Sequence, residues 1–123
     1  MILGVGIDII SIEKITKSIE SPAFRNKNFT PAEIDSCDAI KNRAECFAGK
    51  FAAKEAFMKA LGLGIRQGIW FSQIEVLNDE MGKPYIQVNG EAQKQYLVSG
   101  ADKIHVSISH SAGVAVAVVI LEN

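Results

Sequence analysis

The 123-residue chain lacks the features that mark membrane-spanning, secreted and zinc-binding proteins. No apolar run approaches the roughly 18 residues of a membrane-spanning helix, and no secretory signal peptide precedes the first predicted strand. Its only two cysteines, Cys37 and Cys46, have neither a CxxC motif nor a histidine-rich segment beside them. A structural zinc site is therefore not expected. We expect a soluble, cytoplasmic protein with no membrane contact and with both thiols reduced.

The chain also has little net charge and no nucleotide-binding fingerprint. Its formal net charge of −1 at pH 7 argues against nucleic acid as a partner. It contains neither the phosphate-loop pattern GxxxxGK[ST] nor a strand-linked GxGxxG. With 48% hydrophobic and 22% charged residues, the composition is that of an ordinary folded protein. We expect a single domain, residues 1–123, that is large enough to bury a core.

The sequence predicts one long helix at the centre of the chain. The segment at residues 47–62, FAGKFAAKEAFMKALG, is rich in strong helix formers and contains no proline. Asn42 followed by Glu45 signals a helix start near Arg43. Gly62 is typical of the position just beyond a helix end. Both sides of the helix are largely apolar, which indicates that it packs against several neighbours.

Two charged residues lie on an apolar arc of this helix and need partners. Glu55 and Lys59 share the arc with apolar side chains, and an unpaired buried charge is strongly unfavourable. They could form a simple i,i+4 ion pair worth about 0.2–0.5 kcal/mol. Between residues 41 and 59, basic residues outnumber acidic ones. That pattern suits phosphates or one acidic partner, but a solvated helix face has it too.

The chain opens with an almost continuous apolar run, MILGVGIDII, which predicts a strand buried on both faces. Alternation puts Asp8 on the same face as Gly4 and Gly6, which leave space beside its side chain. A carboxylate in this position is exposed at the strand tip, caps the following helix or binds a cation. The strand by itself does not decide among these three alternatives.

The remaining elements complete the predicted fold. Helices are expected at residues 11–19, from the capping box Thr30–Glu33 onward and after Asn89; strand hairpins are expected at residues 69–88 and 103–121. This order predicts an α+β domain with a largely antiparallel sheet packed around the long central helix. His110 ends an apolar strand face, where a histidine held by backbone groups is the simpler alternative to a functional one.

Three blocks of sequence carry a resemblance when they are taken together: GVGIDII at residues 4–10, FAGKFAAKEAFMKALG at 47–62 and HVSISHS at 105–111. They resemble the holo-[acyl-carrier-protein] synthases, the short, single-domain type of 4′-phosphopantetheinyl transferase. The segments GKPYI and FSQIEV are also similar, so the resemblance runs essentially end to end. Leu63 departs from the pattern, because family members usually have threonine in this G-T-G turn.

The resemblance implies a magnesium-dependent transferase. The family moves the 4′-phosphopantetheine arm of coenzyme A to a serine of apo-acyl carrier protein, releases adenosine 3′,5′-bisphosphate and supports fatty acid biosynthesis. Asp8, Glu55 and Lys59 are then the catalytic residues: Asp8 and Glu55 hold Mg²⁺, and Lys59 stabilises charge on the phosphates. The base for the carrier serine is Glu55 or a metal-bound water. Such a reaction relies on positioning and charge neutralisation, which two acids and a lysine supply.

The same resemblance implies substrate and partner contacts for five other residues. Lys50, His110 and Ser109 are expected at the coenzyme A site. Lys14 and Arg25 are expected to meet the acidic recognition helix of the acyl carrier protein. The family typically forms homotrimers with coenzyme A bound between subunits, so we expect the same assembly here.

Two other classes of function use the same residues. A non-catalytic module that binds a nucleotide or an acidic protein would explain Lys50 and Lys54. It would not explain acids at the same place, since they repel phosphate without a cation between them. A magnesium-dependent nucleotide hydrolase would use the same acids with water as the nucleophile. The metal dependence of coenzyme A binding, and release of the bisphosphate without carrier protein, separate these classes from the transferase.

Overall fold

Five helices and five strands make up the computed structural model, which describes residues 1–63 and 68–123. In chain order the elements are β1 (Ile2–Ser11), α1 (Ile12–Ser18), α2 (Pro22–Asn28), α3 (Pro31–Asp38), α4 (Arg43–Ala60), β2 (Ile74–Asn78), β3 (Pro84–Val88), α5 (Gly90–Val98), β4 (Lys103–Ser111) and β5 (Val114–Glu122). A 3₁₀ turn at Phe71–Gln73 precedes β2. No described helix is both long enough and apolar enough to cross a membrane. The predicted α+β class is confirmed.

Within the described residues the strands form two antiparallel sheets. β1, β5 and β4 make a three-stranded sheet in that order, and β2 pairs with β3 in a separate hairpin. β1 and β4 are therefore the two edges of the larger sheet, with β5 between them. On the inner face of this sheet, Ala117 and Val119 of β5 are fully buried in one core cluster with Ala56 and Phe57 of α4. The long helix thus lies at the centre of the core, as predicted.

β1 lies directly against the backbone of α4 because Gly4 and Gly6 have no side chain. A Cβ atom on Gly4 would overlap the carbonyl oxygen of Ala60, and one on Gly6 would overlap the carbonyl oxygen of Ala56. The space that the sequence predicts beside Asp8 is therefore filled by the helix itself. Asp8 follows on the same strand face, so this close approach brings its carboxylate against α4.

The outer face of β1 is exposed, so the prediction of a strand buried on both faces is wrong for the single chain. Val5, Ile7 and Ile9 are 57%, 61% and 64% exposed. The reason is that α4 packs only on the opposite face of the sheet, where Asp8 is buried. A row of exposed apolar side chains on one strand marks a surface suited to contact with another protein surface.

The helix caps decide one local alternative and confirm one predicted capping box. Ser11 accepts a hydrogen bond from a backbone N–H in the first turn of α1 and caps that helix, so Asp8 is not its cap. Thr30 and Glu33 form the predicted capping box of α3. α4 begins directly after Asn42 as predicted, although the Asn42 side chain makes no cap hydrogen bond.

A disulfide joins Cys37 in α3 to Cys46 in α4, so the expectation of two reduced thiols is wrong. The turn at residues 39–42 folds α3 back against the first turns of α4 and brings the two Cα atoms to 5.4 Å. Cys37 is fully buried in a cluster with Ile15 and Phe47, whereas Cys46 is partly exposed. The bond fixes α3 against the N-terminal half of α4.

A buried ion pair that the sequence analysis missed joins α3, α4 and β2. Lys54 and Glu33 are both fully buried, and the Lys54 ammonium donates to Glu33 Oε1 at 2.8 Å. It also donates to the backbone oxygens of Phe71 and Ile74, at 2.9 and 2.6 Å. Glu33 Oε2 accepts from the backbone N–H of Val76 at 2.8 Å. Burial lowers the pKa of Lys54 to about 8, although the charge of Glu33 opposes this shift.

Candidate active site

Asp8 and Lys59 meet where β1 lies against the C-terminal half of α4. The Lys59 ammonium donates hydrogen bonds to Asp8 Oδ1 and to the backbone oxygen of Ile7, both at 3.0 Å. The Asp8 side chain is only 9% exposed, whereas the Lys59 side chain is 56% exposed. Asp8 is therefore neither exposed at a strand tip nor a helix cap. Within one chain its charged partner is the Lys59 ammonium, and binding of a metal cation stays a prediction.

Glu55 completes the cluster from the preceding turn of α4. Burial raises the pKa of Glu55 from 4.5 to about 7, and the charge of Asp8 and a hydrogen bond with it add to the rise. The positive charge of Lys59 opposes the shift. The close partner of Lys59 is Asp8, so the simple i,i+4 pair with Glu55 is not the arrangement found. Glu55 therefore titrates near neutral pH.

The two carboxyl groups suit a hard divalent cation. Carboxylates that share one site repel each other, and here the charge of Asp8 helps to raise the pKa of Glu55. Mg²⁺ is commonly held by one or two carboxylates together with substrate phosphates. The described residues contain no group of three or more His, Cys, Asp or Glu side chains that could hold a metal. Asp8 and Glu55 are the two residues of this cluster that could hold such a cation.

A cavity of ≈ 540 Å³ lies at the β4 edge of the larger sheet. Its walls come from α3, the turn before α4, the first turns of α4, the β2–β3 hairpin and β4. Lys50 and His110, both expected at the coenzyme A site, line this cavity together with Glu45 and Asn78. His110 Nδ1 lies 3.1 Å from Glu45 Oε2. The cavity thus combines cationic and polar groups with room for a ligand.

Lys50 is held at the wall of the cavity by the protein. The residue is only 3% exposed, and its ammonium donates to the backbone oxygen of Val76 at 2.6 Å and to Asn78 Oδ1 at 3.2 Å. Burial lowers the pKa of Lys50. An ammonium has three N–H bonds, and these two acceptors engage two of them.

Three other residues singled out in the sequence lie outside both the Asp8–Glu55–Lys59 cluster and the cavity of the same chain: Ser109, Lys14 and Arg25. Ser109 is exposed on the β4 face opposite to His110, because successive side chains on a strand alternate. Lys14 is exposed on α1. Arg25 on α2 is partly buried, and its Nη1 atom lies 3.4 Å from Asp38 Oδ2. Gly64, the last residue of the turn in which Leu63 replaces the family's threonine, lies outside the described residues.

The acid cluster and the cavity occupy opposite edges of the larger sheet. Asp8 on β1 pairs across the sheet with Ala117 of β5, and His110 on β4 pairs with Ala115 of the same strand. β5 therefore separates the two sets of functional residues. On α4, Lys50 and Glu55 are five positions apart, about 140° around the helix axis, so their side chains point in different directions.

Sequence reasoning missed the contributions of Glu45 and Asn78 to the cavity. Glu45 entered the sequence analysis only as part of a helix start signal, whereas it contacts His110 in the structure. Asn78 ends β2 and reaches the Lys50 ammonium across a separation of 28 residues. Glu45 lies five positions before Lys50 on the same helix, about 140° around its axis, so helical spacing does not pair the two. Nothing in the sequence around Asn78 indicates its contact with Lys50.

Comparisons with known proteins give the family. Residues 4–119 match the family model of the 4′-phosphopantetheinyl transferase superfamily. A holo-[acyl-carrier-protein] synthase of Trichlorobacter lovleyi is 46% identical, with 99% of this chain and 98% of the relative covered. One of Clostridium novyi is 48% identical, with 99% and 88% covered.

Solved structures agree in fold over the whole chain. The holo-[acyl-carrier-protein] synthase of Neisseria meningitidis superposes with a TM-score of 0.90 at 32% identity, and all of both chains is covered. That of Bacillus anthracis, in complex with CoA (3′,5′-ADP), gives a TM-score of 0.82 at 40% identity, with 99% of this chain and 97% of the other covered. The chain therefore belongs to the 4′-phosphopantetheinyl transferase superfamily, as a member of its holo-[acyl-carrier-protein] synthase family.

Proposed function

We propose that this chain transfers the 4′-phosphopantetheine group of coenzyme A to a serine of apo-acyl carrier protein and releases adenosine 3′,5′-bisphosphate. The observation that carries the proposal is the cluster of Asp8, Glu55 and Lys59, which joins two carboxyl groups to one ammonium at the contact of β1 with α4. Holo-[acyl-carrier-protein] synthases at 46% and 48% identity support the same activity. The product supports fatty acid biosynthesis.

Asp8 and Glu55 are the residues that would hold Mg²⁺. When bound, the ion would neutralise negative charge on the coenzyme A pyrophosphate. For this role Glu55 must lose the proton that it binds with a pKa of about 7. Deprotonated Glu55 and Asp8 then present carboxylate oxygens, the ligands that Mg²⁺ prefers.

Lys59 stabilises the negative charge that develops on the phosphates as the pyrophosphate bond breaks. Two hydrogen bonds, to Asp8 and to the backbone oxygen of Ile7, hold its ammonium in position before the substrate arrives. A donor fixed in advance requires no reorganisation during the reaction, which is why such groups contribute strongly to catalysis. More than half of the Lys59 side chain is exposed, so a phosphate can reach it.

The cavity at the β4 edge binds the nucleotide part of coenzyme A. Lys50 and His110 both line it. The B. anthracis relative was solved with CoA (3′,5′-ADP). Ser109, which faces away from this cavity, would contact coenzyme A only at the surface of a neighbouring copy.

The active form is a homotrimer with its sites between subunits. The acid cluster and the cavity lie on opposite edges of one sheet, so a site that includes both is completed by placing edges of two copies together. The exposed apolar side chains of Val5, Ile7 and Ile9 provide a surface for such contact. This assembly would also cover the face of β1 that a single chain leaves exposed.

The carrier protein docks on α1 and α2. Lys14 is exposed and available to an acidic partner helix. Arg25 contributes less, because part of its charge is already engaged by Asp38. The reaction takes place in the cytoplasm, where coenzyme A and the carrier protein meet.

Mass spectrometry of the carrier protein tests the proposal. Apo-acyl carrier protein is incubated with coenzyme A, Mg²⁺ and the enzyme, and the expected result is a gain of one phosphopantetheine group on its serine. The Asp8→Ala and Glu55→Ala proteins serve as folded controls and should give no gain. An unchanged carrier mass with the folded wild-type chain would refute the proposal.

The same reagents distinguish the two alternative functions. Metal-independent binding of coenzyme A that is tighter in the Asp8→Ala protein would indicate a binding module, because the variant loses a charge that repels phosphate. Steady release of adenosine 3′,5′-bisphosphate in the absence of carrier protein would indicate a hydrolase. We expect Mg²⁺-dependent binding and little release without the carrier.

A further inference from the structure

The cavity beside Lys50 has a disulfide in its wall. Cys46 lines the cavity, and its bonded partner Cys37 is fully buried behind it. The turn that the bond closes contributes Ile40 and Asn42 to the same wall. One covalent bond therefore fixes both the turn and the helix face that form this side of the cavity.

The two cysteines of the bond differ in their exposure. Cys37 has no exposed surface, whereas Cys46 is partly exposed and borders a cavity of ≈ 540 Å³. Thiol–disulfide exchange requires a thiolate to reach one sulfur of the bond, so access decides which sulfur is attacked. In a cytoplasmic protein a disulfide is commonly transient or redox-sensing.

We propose that the Cys37–Cys46 disulfide is a thiol-exchange site that is entered through the cavity at Cys46, and that its reduction by a dithiol weakens binding of the nucleotide part of coenzyme A. The second half of this inference rests on the proposed function, which identifies the ligand of the cavity. The exchange itself rests only on the position of the two cysteines.

The exchange balances with a dithiol as the reductant. A thiolate of the dithiol attacks Cys46 Sγ, forms a mixed disulfide and breaks the bond to Cys37, which leaves as a thiolate and takes up a proton. The second thiolate of the dithiol then attacks the dithiol's other sulfur atom, which is bonded to Cys46 in the mixed disulfide. This attack releases Cys46 as a thiolate, which also takes up a proton. Two electrons and two protons pass from the dithiol to the protein, and the dithiol becomes a cyclic disulfide.

Reduction removes the covalent support of the cavity wall. The turn between α3 and α4 then depends on weaker contacts, among them the exposed ion pair between Asp38 and Arg43 at 3.0 Å. A more mobile wall holds a nucleotide less tightly. By reciprocity, a bound nucleotide favours the oxidised state by the same factor. A nucleotide in the cavity also covers Cys46, which should slow attack at this cysteine.

Labelling of single-cysteine variants tests the access route. In the folded Cys37→Ser protein, Cys46 should react quickly with a maleimide, and adenosine 3′,5′-bisphosphate should slow the reaction. In the folded Cys46→Ser protein, Cys37 should react only after denaturation. If the two folded variants were labelled at equal rates, or if Cys37 were labelled faster, Cys46 would not be the entry point.

Binding of adenosine 3′,5′-bisphosphate, which carries no thiol, tests the effect of reduction. Its Kd is measured by calorimetry for the oxidised chain and for the chain reduced with dithiothreitol, with the redox state confirmed by mass spectrometry. The Cys37→Ser/Cys46→Ser protein is the matched control. We expect Kd to rise roughly fivefold or more on reduction, the scale of a typical coupling between sites. The double variant should bind like the reduced chain and should not respond to dithiothreitol.

The outcomes separate this inference from the proposed function. An equal Kd in both redox states, in a chain that modifies carrier protein, would overturn the effect on the cavity and leave the transferase intact. Failure of carrier modification in both redox states would instead contradict the proposed function. The labelling order of Cys37 and Cys46 reports on the exchange site in either case.

Discussion

At the scale of single residues, the proton on Glu55 links stability to pH. The pKa of Glu55 in the folded chain is about 7, above its ordinary 4.5, so the folded state binds the proton more tightly than the unfolded state does. The free energy of unfolding should therefore fall as pH rises through the range from 4.5 to about 7. Because the Glu55 carboxyl is only half-buried, solvent screens part of this effect. The resulting change in the free energy of unfolding is about 1 kcal/mol.

Glu55→Gln should lose this pH dependence because the amide does not titrate. We expect the variant to be more stable than the wild type at pH 8 and to differ less from it at pH 5, without added Mg²⁺. Thermal unfolding of both proteins across this pH range measures the difference, in which the titrations of other groups cancel. Parallel stability profiles for the two proteins would show that Glu55 does not hold the proton.

Substitution of Lys59 should affect catalysis much more than stability. Lys59→Ala should lower kcat by roughly 10²–10³, the scale for removal of one preorganised donor. Its stability should change by less than about 1 kcal/mol, because the ion pair with Asp8 has one exposed partner. Lys59→Arg should not restore full activity, since a planar guanidinium does not replace a compact ammonium held by Asp8 and Ile7.

Single-turnover transfer and thermal unfolding, measured on one preparation of Lys59→Ala, check this prediction. Normal turnover together with a lower melting temperature would instead make the pair of Lys59 and Asp8 a structural one. The wild-type chain at the same Mg²⁺ concentration is the reference.

At the scale of elements, Lys54 and Glu33 hold α3, α4 and β2 together. Lys54→Met should destabilise the chain by about 3–5 kcal/mol, because it leaves the fully buried Glu33 carboxylate without its cation. The Glu33→Gln/Lys54→Met protein should be less destabilised than Lys54→Met, since it removes the unpaired charge. Urea unfolding provides the measurement.

An exposed pair in the same chain is the matched control for this prediction. Lys17→Met breaks a pair with Glu13 at 3.8 Å in which both side chains are more than three-quarters exposed. Its cost should stay below about 1 kcal/mol. Similar costs for Lys54→Met and Lys17→Met would mean that the buried pair has no special role.

The elements also show what the sequence can and cannot predict. Periodicity and caps placed β1, α3, α4 and the final hairpin, because these signals are local. The pair of Lys54 and Glu33 and the bond between Cys37 and Cys46 depend on how α3 packs against α4, which local patterns do not specify. Asp8 and Glu55 each stood out among apolar neighbours, but only the family resemblance assigned them to a common site.

At the scale of the whole molecule, the outer face of β1 should form the trimer contact. Light scattering should give a particle of about three times 13.3 kDa for the wild type. Val5→Lys/Ile9→Lys should lower this mass and also the transfer activity, because charges would replace apolar side chains at the contact. Such a loss of activity is expected if each site draws on two copies.

Val98→Lys is the control for the trimer contact, since Val98 on α5 is 81% exposed and lies outside the larger sheet. This variant should keep both mass and activity. If the β1 double variant retained the wild-type mass, the contact would lie elsewhere. The exposed face of β1 could not be foreseen from the sequence, because a continuous apolar strand looks the same whether its second face meets its own core or another chain.

The contact of Gly4 and Gly6 with the backbone of α4 has a consequence for mutational scanning. Neither residue touches substrate in the proposed mechanism, yet a methyl group at either one would overlap a carbonyl oxygen of α4. The helix would then move away from β1 and take Glu55 away from Asp8. A scan scored by carrier modification would rank these two positions as intolerant as the acids themselves. Positions on β1 can therefore be intolerant to substitution for two reasons, close packing of two backbones or loss of a catalytic side chain. A scan scored by protein abundance would distinguish the first reason from the second.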